Sequence, residues 1–81
     1  MLIQVNLFAR FKDLAGADQI TVDLPNNATV RDLRQTLKRI YPSSAGLLER
    51  SAVAVDNEFT EDRTAILANA EVALLPPVSG G

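Results

Sequence analysis

Two segments near the start of the chain alternate apolar and polar residues. Their apolar positions are Ile3, Val5 and Leu7 in the first segment, and Ile20, Val22 and Leu24 in the second. A period of two is typical of a strand that buries one face, so both segments are predicted strands that suit a hairpin. Residues 9–14 between them fit one or two helical turns, and Gly16 can adopt the positive φ that ends them.

The period changes to that of a helix after residue 29. Thr29 is a favourable N-cap, and Asp32 three residues later completes a shorter-armed capping box. The predicted buried stripe contains Val30, Leu33, Leu37, Ile40 and Tyr41. The residues expected to face solvent are Arg31, Arg34, Gln35 and Lys38. Pro42 cannot continue the helix, so the helix is predicted to end just before it.

The rest of the chain predicts a short second helix and three strands. The helix covers residues 45–50, and the strands cover residues 52–55, 58–60 and 71–75, with Asp56 and Asn57 forming a turn after the first of them. The pattern at residues 64–67 is ambiguous. Two strands, one long helix and further strands predict an α+β fold with the helix across one sheet face. Residues 1–75 form the predicted domain and residues 76–81 an extended tail.

A small apolar patch is predicted on the sheet face opposite the helix. Strand alternation turns Phe8, Ala52, Ala54, Ala73 and Leu75 to that face. Phe8 and Leu75 are large side chains that would be costly to leave in water, so we expect this patch to bind a partner.

Other clusters of charge are interpreted as solvated surface. Arg10 and Lys12 could contact an acidic partner, but exposed charge is the simpler interpretation. The same holds for the basic helix residues Arg31, Arg34, Lys38 and Arg39. The acidic residues Asp56, Glu58, Glu61 and Asp62 lack the spacing of a calcium loop and are interpreted as a surface turn.

Composition excludes most side-chain chemistry. The 81 residues include no cysteine and no histidine, which excludes thiolate nucleophiles, imidazole bases and the usual zinc sites. No metal site or bound cofactor is expected. A net charge of -2 disfavours nucleic acid as a partner. The chain shows no basic leader and no apolar run of membrane-spanning length, so no membrane partner and a cytoplasmic location are expected.

The candidate reactive group lies at the end of the chain. Pro76 and Pro77 lack N–H donors and should lead the chain away from the sheet. Six residues reach about 20 Å, enough to enter a pocket of another protein. Gly80 and Gly81 have no Cβ and can pass through a narrow channel. A frayed terminus is the simpler reading of two glycines alone, but their combination with a final strand and two prolines favours a reactive carboxylate at Gly81.

Three segments carry a resemblance to a known family. They are residues 7–16, with Leu-Phe-Ala-Arg and Leu-Ala-Gly, residues 53–59, and residues 71–81, which end in Pro-Pro-Val-Ser-Gly-Gly. The chain closely resembles the MoaD family, the small ubiquitin-like subunit of molybdopterin synthase, over essentially its whole length. The resemblance implies a β-grasp fold with a mixed sheet.

The resemblance also implies a role for the tail. An ATP-dependent, ubiquitin-activating-like enzyme would adenylate Gly81, and a sulfurtransferase would supply the sulfur of a thiocarboxylate. Two carriers would bind a large-subunit dimer as a heterotetramer, with Gly80 and the tail residues Pro76, Pro77, Val78 and Ser79 in each large-subunit active site. There the sulfur would pass to cyclic pyranopterin monophosphate to form the dithiolene of molybdopterin. The carrier would not be catalytic alone, and ATP would be used only by the activating enzyme.

One feature departs from the family, and two other functions stay open. Asn69 and Ala70 stand where the family usually has an Asp-Gly turn, so Asn69 is a candidate for the positive φ. The alternatives are a sulfur carrier for thiazole synthesis and a ubiquitin-like protein modifier, both of which also end in Gly-Gly.

Overall fold

Five strands form a single mixed sheet in the computed structural model, which describes residues 1–77. The strands are β1 (Leu2–Leu7), β2 (Gln19–Asp23), β3 (Ala52–Val55), β4 (Glu58–Phe59) and β5 (Val72–Leu75). The helices are α1 (Arg10–Ala15), α2 (Val30–Ile40) and α3 (Ala45–Glu49), and a 3₁₀ turn at Pro42–Ser44 precedes α3. The order across the sheet is β2-β1-β5-β3-β4.

The central pair of strands is parallel and its neighbours are antiparallel. β1 runs parallel to β5 and antiparallel to β2, whereas β3 runs antiparallel to both β5 and β4. The predicted hairpin of β1 and β2 is confirmed, with α1 inserted in its connection. The α+β fold with one main helix against a mixed sheet is therefore confirmed.

The core lies between one sheet face and α2. The sheet supplies Ile3, Val5, Leu7, Val22, Val53, Val72 and Leu74, and α2 supplies Val30, Leu33 and Leu37. Phe11 of α1 and Ile66 of the segment before β5 also belong to this core. The side of the sheet away from α2 is called the outer face below.

Helix α2 begins and ends where the sequence predicts. The hydroxyl of Thr29 accepts the Asp32 N–H at 3.3 Å, and the Asp32 carboxylate accepts the Thr29 N–H at 2.8 Å, which completes the capping box. The helix ends at Ile40, two residues before Pro42.

Two predictions about the faces of α2 are wrong. Arg34 was expected in solvent but is buried, with only 6% of its surface exposed. Ile40 was expected in the buried stripe but is 52% exposed. Ile40 is the last helical residue and lies at the flank of the stripe, whereas Arg34 occupies the position one turn after Val30 and three before Leu37.

Arg34 replaces a missing strand neighbour beside β3. Its guanidinium donates to the carbonyls of Leu48 and Ser51, and to the Ser51 hydroxyl at 2.8 Å. It also forms an ion pair with Asp62 at 3.0 Å. By the β3–β4 register, the Ser51 carbonyl points to the side on which β4 has already ended. Arg34 thus supplies a donor where the ladder has none.

The tight turns use residues with positive φ. Gly16 (68°) ends α1, and Asp56 (51°) and Asn57 (70°) form the two-residue turn between β3 and β4. Asn69 takes the positive φ in the turn before β5, at 68°, so the expectation for that position is confirmed. The ambiguous segment at residues 64–67 forms an isolated bridge from Ala65 to Thr29.

No helix among residues 1–77 is both long enough and apolar enough to cross a membrane.

Candidate docking face and carboxyl-terminal tail

Cross-strand pairing places apolar side chains side by side on the outer face. Ala73 of β5 pairs with Ala54 of β3, which in turn pairs with Phe59 of β4. One step towards the end of β5, Leu75 pairs with Ala52. Directly paired residues project from the same face of a sheet, so these five side chains form one continuous surface. Together with Phe8 they are called the apolar patch.

Phe8 joins the apolar patch from outside the sheet. β1 ends at Leu7, which pairs with Leu74, so Phe8 was wrongly placed within the strand. Phe8 and Leu75 each follow one member of the last pair between β1 and β5, Leu7 and Leu74, so both lie at the end of the sheet where β5 finishes. Phe8 is 47% exposed, and an aromatic ring left half in water is a candidate contact for a partner.

The alanines contribute less exposed surface than the sequence suggested. Ala54 was expected on the exposed outer surface but is only 9% exposed, because its neighbours on β4 and β5 cover its small side chain. Ala52, Ala73 and Leu75 are half-buried. The accessible surface of the apolar patch is therefore provided chiefly by its larger members.

Phe59 is the patch residue that the sequence prediction missed. It is 74% exposed, the highest value among the large hydrophobic residues in the part of the chain described. The sequence placed residues 58–60 in an edge strand but did not assign Phe59 to a face. Its pairing with Ala54, which the two-residue turn at Asp56 and Asn57 sets, would have revealed the face.

The other half of the outer face is polar. Gln4, Asn6, Gln19 and Thr21 occupy β1 and β2 there, and the Gln19 amide donates to the Asn6 side chain at 2.8 Å. Only Leu2, at the far end of β1, adds a large exposed apolar side chain to this half. The strand residues of the apolar patch thus all lie on the half built from β5, β3 and β4, and Phe8 follows the end of β1.

The tail starts at the edge of the apolar patch. β5 lies in the middle of the sheet and ends at Leu75, and Pro76 and Pro77 follow it as half-buried residues outside any strand. The predicted site residues Val78, Ser79, Gly80 and Gly81 lie outside the described residues. A partner that covers the apolar patch would therefore lie beside the residues from which the tail continues.

The charged groups are arranged around the fold rather than gathered into a reactive site. Lys12 pairs with Asp18 at 3.1 Å, and Arg10 is exposed and forms no ion pair within residues 1–77, in keeping with the solvated face expected for both. On the helix side, the pKa of Glu49 is lowered by the hydrogen bond and the charge of Lys38, with smaller contributions from Arg31 and Arg34. In the described part of the chain, no three acidic side chains are placed to hold a metal ion.

These features limit what the folded domain can do chemically. The sequence contains neither histidine nor cysteine, and the outer face of the described residues presents apolar groups and amides. Such a surface can bind but offers no base or nucleophile for covalent chemistry.

Two relatives are similar to the chain in amino-acid sequence over nearly its full length. A molybdopterin synthase sulfur carrier subunit from Dictyostelium discoideum is 41% identical over 81 residues, covering 96% of this chain and 94% of that protein. Small archaeal modifier protein 1 from Haloferax volcanii is 32% identical, covering 93% of this chain and 95% of that protein.

Solved structures share the fold. A putative molybdopterin converting factor subunit 1 from Pyrococcus furiosus superposes with a TM-score of 0.83 at 28% identity, covering 96% of this chain and 99% of that one. A chain from a complex of subunits 1 and 2 of the molybdopterin-converting factor of Helicobacter pylori gives a TM-score of 0.68 at 21% identity, with all of both chains covered. These similarities confirm the ubiquitin-like β-grasp fold.

A family model described as the ThiS family matches residues 5–81, which include every strand except the first residues of β1 and continue through the tail. Together with the named relatives, this match confirms the resemblance to sulfur carrier subunits of molybdopterin synthase. The chain belongs to the ThiS family.

Proposed function

We propose that this chain is the sulfur carrier subunit of a molybdopterin synthase, with the sulfur carried on the carboxyl group of Gly81. The observation that carries the proposal is the 41% identity with a protein of that name over nearly the full length of both chains. The family match that continues through Gly81 supports placing the chemistry there.

The chemistry at Gly81 needs an activated carboxylate, because a free carboxylate is a poor acyl group. In the proposed sequence a carboxylate oxygen attacks the α-phosphate of ATP and releases pyrophosphate, which gives an acyl adenylate. The terminal sulfur of a persulfide on a sulfurtransferase then displaces AMP, which gives an acyl disulfide. A second thiol attacks the donor's sulfur, forms a disulfide with that donor and releases the thiocarboxylate. The adenylating enzyme supplies the ATP site, so the carrier itself binds no cofactor.

The domain contributes position rather than catalytic side chains. The apolar patch binds the large subunit, and Pro76 and Pro77 direct the tail from the edge of that patch. Gly80 lets the backbone pass where a side chain would not fit. Sulfur transfer to cyclic pyranopterin monophosphate then uses the acid and base groups of the large subunit. Water attacks the acyl carbon of Gly81 and breaks the acyl–sulfur bond, so the sulfur stays on the pterin and Gly81 returns to a carboxylate.

The large subunit is the partner best supported. The relative from Dictyostelium discoideum is named as a subunit of a synthase, and the Helicobacter pylori structure contains subunit 1 together with subunit 2. The adenylating enzyme, the sulfurtransferase, the arrangement of two carriers on a large-subunit dimer and the cytoplasmic location belong to the same proposal through the family resemblance.

The two alternative functions are not favoured. The relative with 41% identity carries the molybdopterin synthase name, whereas the archaeal modifier is less similar, at 32%. A modifier would end as an isopeptide on a lysine, and a thiazole carrier would donate its sulfur to a different acceptor. The product formed at Gly81 and the partner bound therefore separate the three functions.

Intact-mass spectrometry tests the proposal. The chain is incubated with the adenylating enzyme, ATP and a sulfur donor, and should gain the mass that results from replacing one oxygen by sulfur, confined to the last peptide. A variant without Gly81 is the control and should gain nothing. An unchanged carboxylate under these conditions, or accumulation of lysine conjugates in place of the thiocarboxylate, contradicts the proposal.

A further inference from the structure

Strand β2 forms an open edge of the sheet. It pairs with β1 on one side only, and no strand of the described chain lies on its other side. The N–H of Leu7 donates to the Asp18 carbonyl and the N–H of Leu24 donates to the Met1 carbonyl, both at 2.8 Å. These two bonds fix which residues of β2 bond to β1.

Hydrogen-bonded pairs alternate along an antiparallel ladder, so Ile20 and Val22 are the residues of β2 that bond to β1. The N–H and C=O groups of Gln19, Thr21 and Asp23 consequently point away from the sheet. Unpaired groups in this arrangement are a template for another strand.

We propose that this edge pairs with the same edge of a second copy of the chain, antiparallel and centred on Thr21. In that register Thr21 lies opposite Thr21 of the second copy, and Gln19 lies opposite Asp23 on both sides of the two-fold axis. All three outward-pointing residues then form hydrogen-bonded pairs with two bonds each. The smallest shift that keeps outward-pointing residues opposite each other is two residues. Such a shift in either direction leaves only two hydrogen-bonded pairs, so the centred register is preferred.

Side-chain character matches in the same register. On the outer face, threonine meets threonine and a glutamine amide meets a carboxylate, both favourable cross-strand pairs. On the helix side, Ile20 meets Val22 of the second copy, and Ile20 is half-buried in the single chain, so pairing would cover its remaining surface. Equal charges are not placed opposite each other.

The acidic groups at the ends of the edge are already neutralised within each chain. Asp18 is paired with Lys12 at 3.1 Å, and Asp23 lies 3.4 Å from the α-ammonium of Met1. Repulsion between the two copies is therefore weaker than a net charge of -2 on each suggests. The opposite edge strand, β4, is only two residues long and offers a far shorter template.

The paired edge lies across the sheet from the proposed docking surface. β2 and the β3–β4–β5 half occupy opposite sides of the sheet order, so a dimer formed through β2 leaves the apolar patch accessible in both copies. An interface of five residues per chain is small, so we expect a weak dimer with a dissociation constant of roughly 0.1–1 mM. This inference stands independently of the proposed function.

A single introduced cysteine tests the register. Residues in a hydrogen-bonded antiparallel pair have Cα atoms about 5.5 Å apart, within the ~4.4–6.8 Å that a disulfide spans. The chain has no cysteine, so Thr21→Cys introduces the one thiol present. Gln4→Cys is the matched control, because Gln4 pairs with Thr21 on the same face but one strand inward. Under mild oxidation Thr21→Cys should cross-link at least about tenfold faster than Gln4→Cys.

Amide hydrogen exchange provides a second test on the unmodified chain. Raising the protein concentration towards ~1 mM should slow exchange at Gln19, Thr21 and Asp23, by about twofold or more once half the chains are paired. Thr21→Pro removes the central donor without removing a bond to β1, and should abolish this dependence. Equal cross-linking of the two cysteine variants, or protection at β4 instead of β2, overturns the proposal.

Discussion

Replacing Arg34 by methionine should be among the most destabilising single changes at a polar residue of this fold. Methionine retains much of the volume of the arginine stem but removes every donor of the guanidinium. The carbonyl of Ser51 then loses the donor that stands in for a ladder neighbour. The carbonyl of Leu48 is less affected, because it also accepts from the N–H and the hydroxyl of Ser51.

The expected loss follows from these contacts. Hydrogen bonds from a charged donor contribute ~1.5–3 kcal/mol each, and Arg34 is buried where it makes them. The ion pair with Asp62 contributes less, at most about 1 kcal/mol, because the Asp62 side chain is 40% exposed. We expect Arg34→Met to lower the free energy of unfolding by about 3 kcal/mol, which corresponds to a fall in Tm of roughly 12–24 °C.

Urea and thermal unfolding measure this loss, with Asp62→Asn as the matched variant that removes only the ion pair. Asp62→Asn should cost at most about 1 kcal/mol. Arg34→Lys should fall between the two, since one ammonium can donate to the carbonyls but cannot also form the fork to Asp62. An Arg34→Met protein within about 1 kcal/mol of the wild type, or an Asp62→Asn protein as unstable as Arg34→Met, would refute the assignment of the energy to the carbonyl bonds.

Three further predictions concern the docking face, the turn before β5 and the response to acid. Phe59→Asp and Leu75→Asp should each weaken binding to the large subunit by about 2 kcal/mol, roughly thirtyfold, with Tm little changed. The control Leu2→Asp, on the polar half, should bind normally, and equal binding by all three variants would place the interface elsewhere. Asn69→Ala should lower the free energy of unfolding by about 1 kcal/mol, because alanine tolerates positive φ poorly, while Asn69→Gly should be near neutral. Urea titration measures both variants, and a glycine variant less stable than the alanine variant would contradict this prediction. Partial burial alone would raise the pKa of Asp62. The hydrogen bonds and charges of Arg34 and Arg31 outweigh this effect and lower the pKa below its ordinary value of 3.8. The stabilisation by the Asp62 carboxylate is therefore present above pH 3.8 and is lost as the pH falls through the lowered pKa. Asp62→Asn should therefore flatten the acid limb of a stability–pH curve, and an unchanged limb would contradict this.

The strands and the caps could be predicted from the sequence because local physics determines them. Alternation alone identified the buried residues of β1, because side chains two residues apart in a strand, such as Ile3, Val5 and Leu7, lie on the same face. The capping box at Thr29 and the proline after α2 likewise depend on near neighbours in the chain. The positive φ of Asn69 follows because an adjacent alanine is a poor candidate for it.

Arg34 was misassigned because the helical pattern alone does not decide its burial. At 100° per residue, Arg34 and Ile40 lie on opposite flanks of the stripe formed by Val30, Leu33 and Leu37. The partners that make its burial favourable are Leu48, Ser51 and Asp62, which are distant in sequence. A single sequence does not reveal that these groups meet.

The chemistry of the candidate site stays a prediction from the tail sequence, which indicates Gly81. The geometry of the docking face could be predicted only in part, because alternation indicated Phe8 and Leu75. Phe59 was missed because its contribution depends on the pairing of β4 with β3, and the burial of Ala54 depends on the same pairing. Both are properties of neighbouring strands rather than of either strand alone.

The central claim is that Gly81 carries the transferred sulfur, and single-turnover transfer tests it most directly. Chemically prepared thiocarboxylate forms of the wild type and of a variant with one residue added after Gly81 are mixed with the large subunit and the pterin precursor, which bypasses activation. The added residue moves the reacting carbon by about 3.5 Å, far beyond the tolerance of aligned reacting groups, while leaving residues 1–75 unchanged. We predict conversion by the wild type and loss of conversion by the extended variant, with equal Tm values. Near-normal conversion by the extended variant, or none by the wild-type thiocarboxylate, would contradict the account.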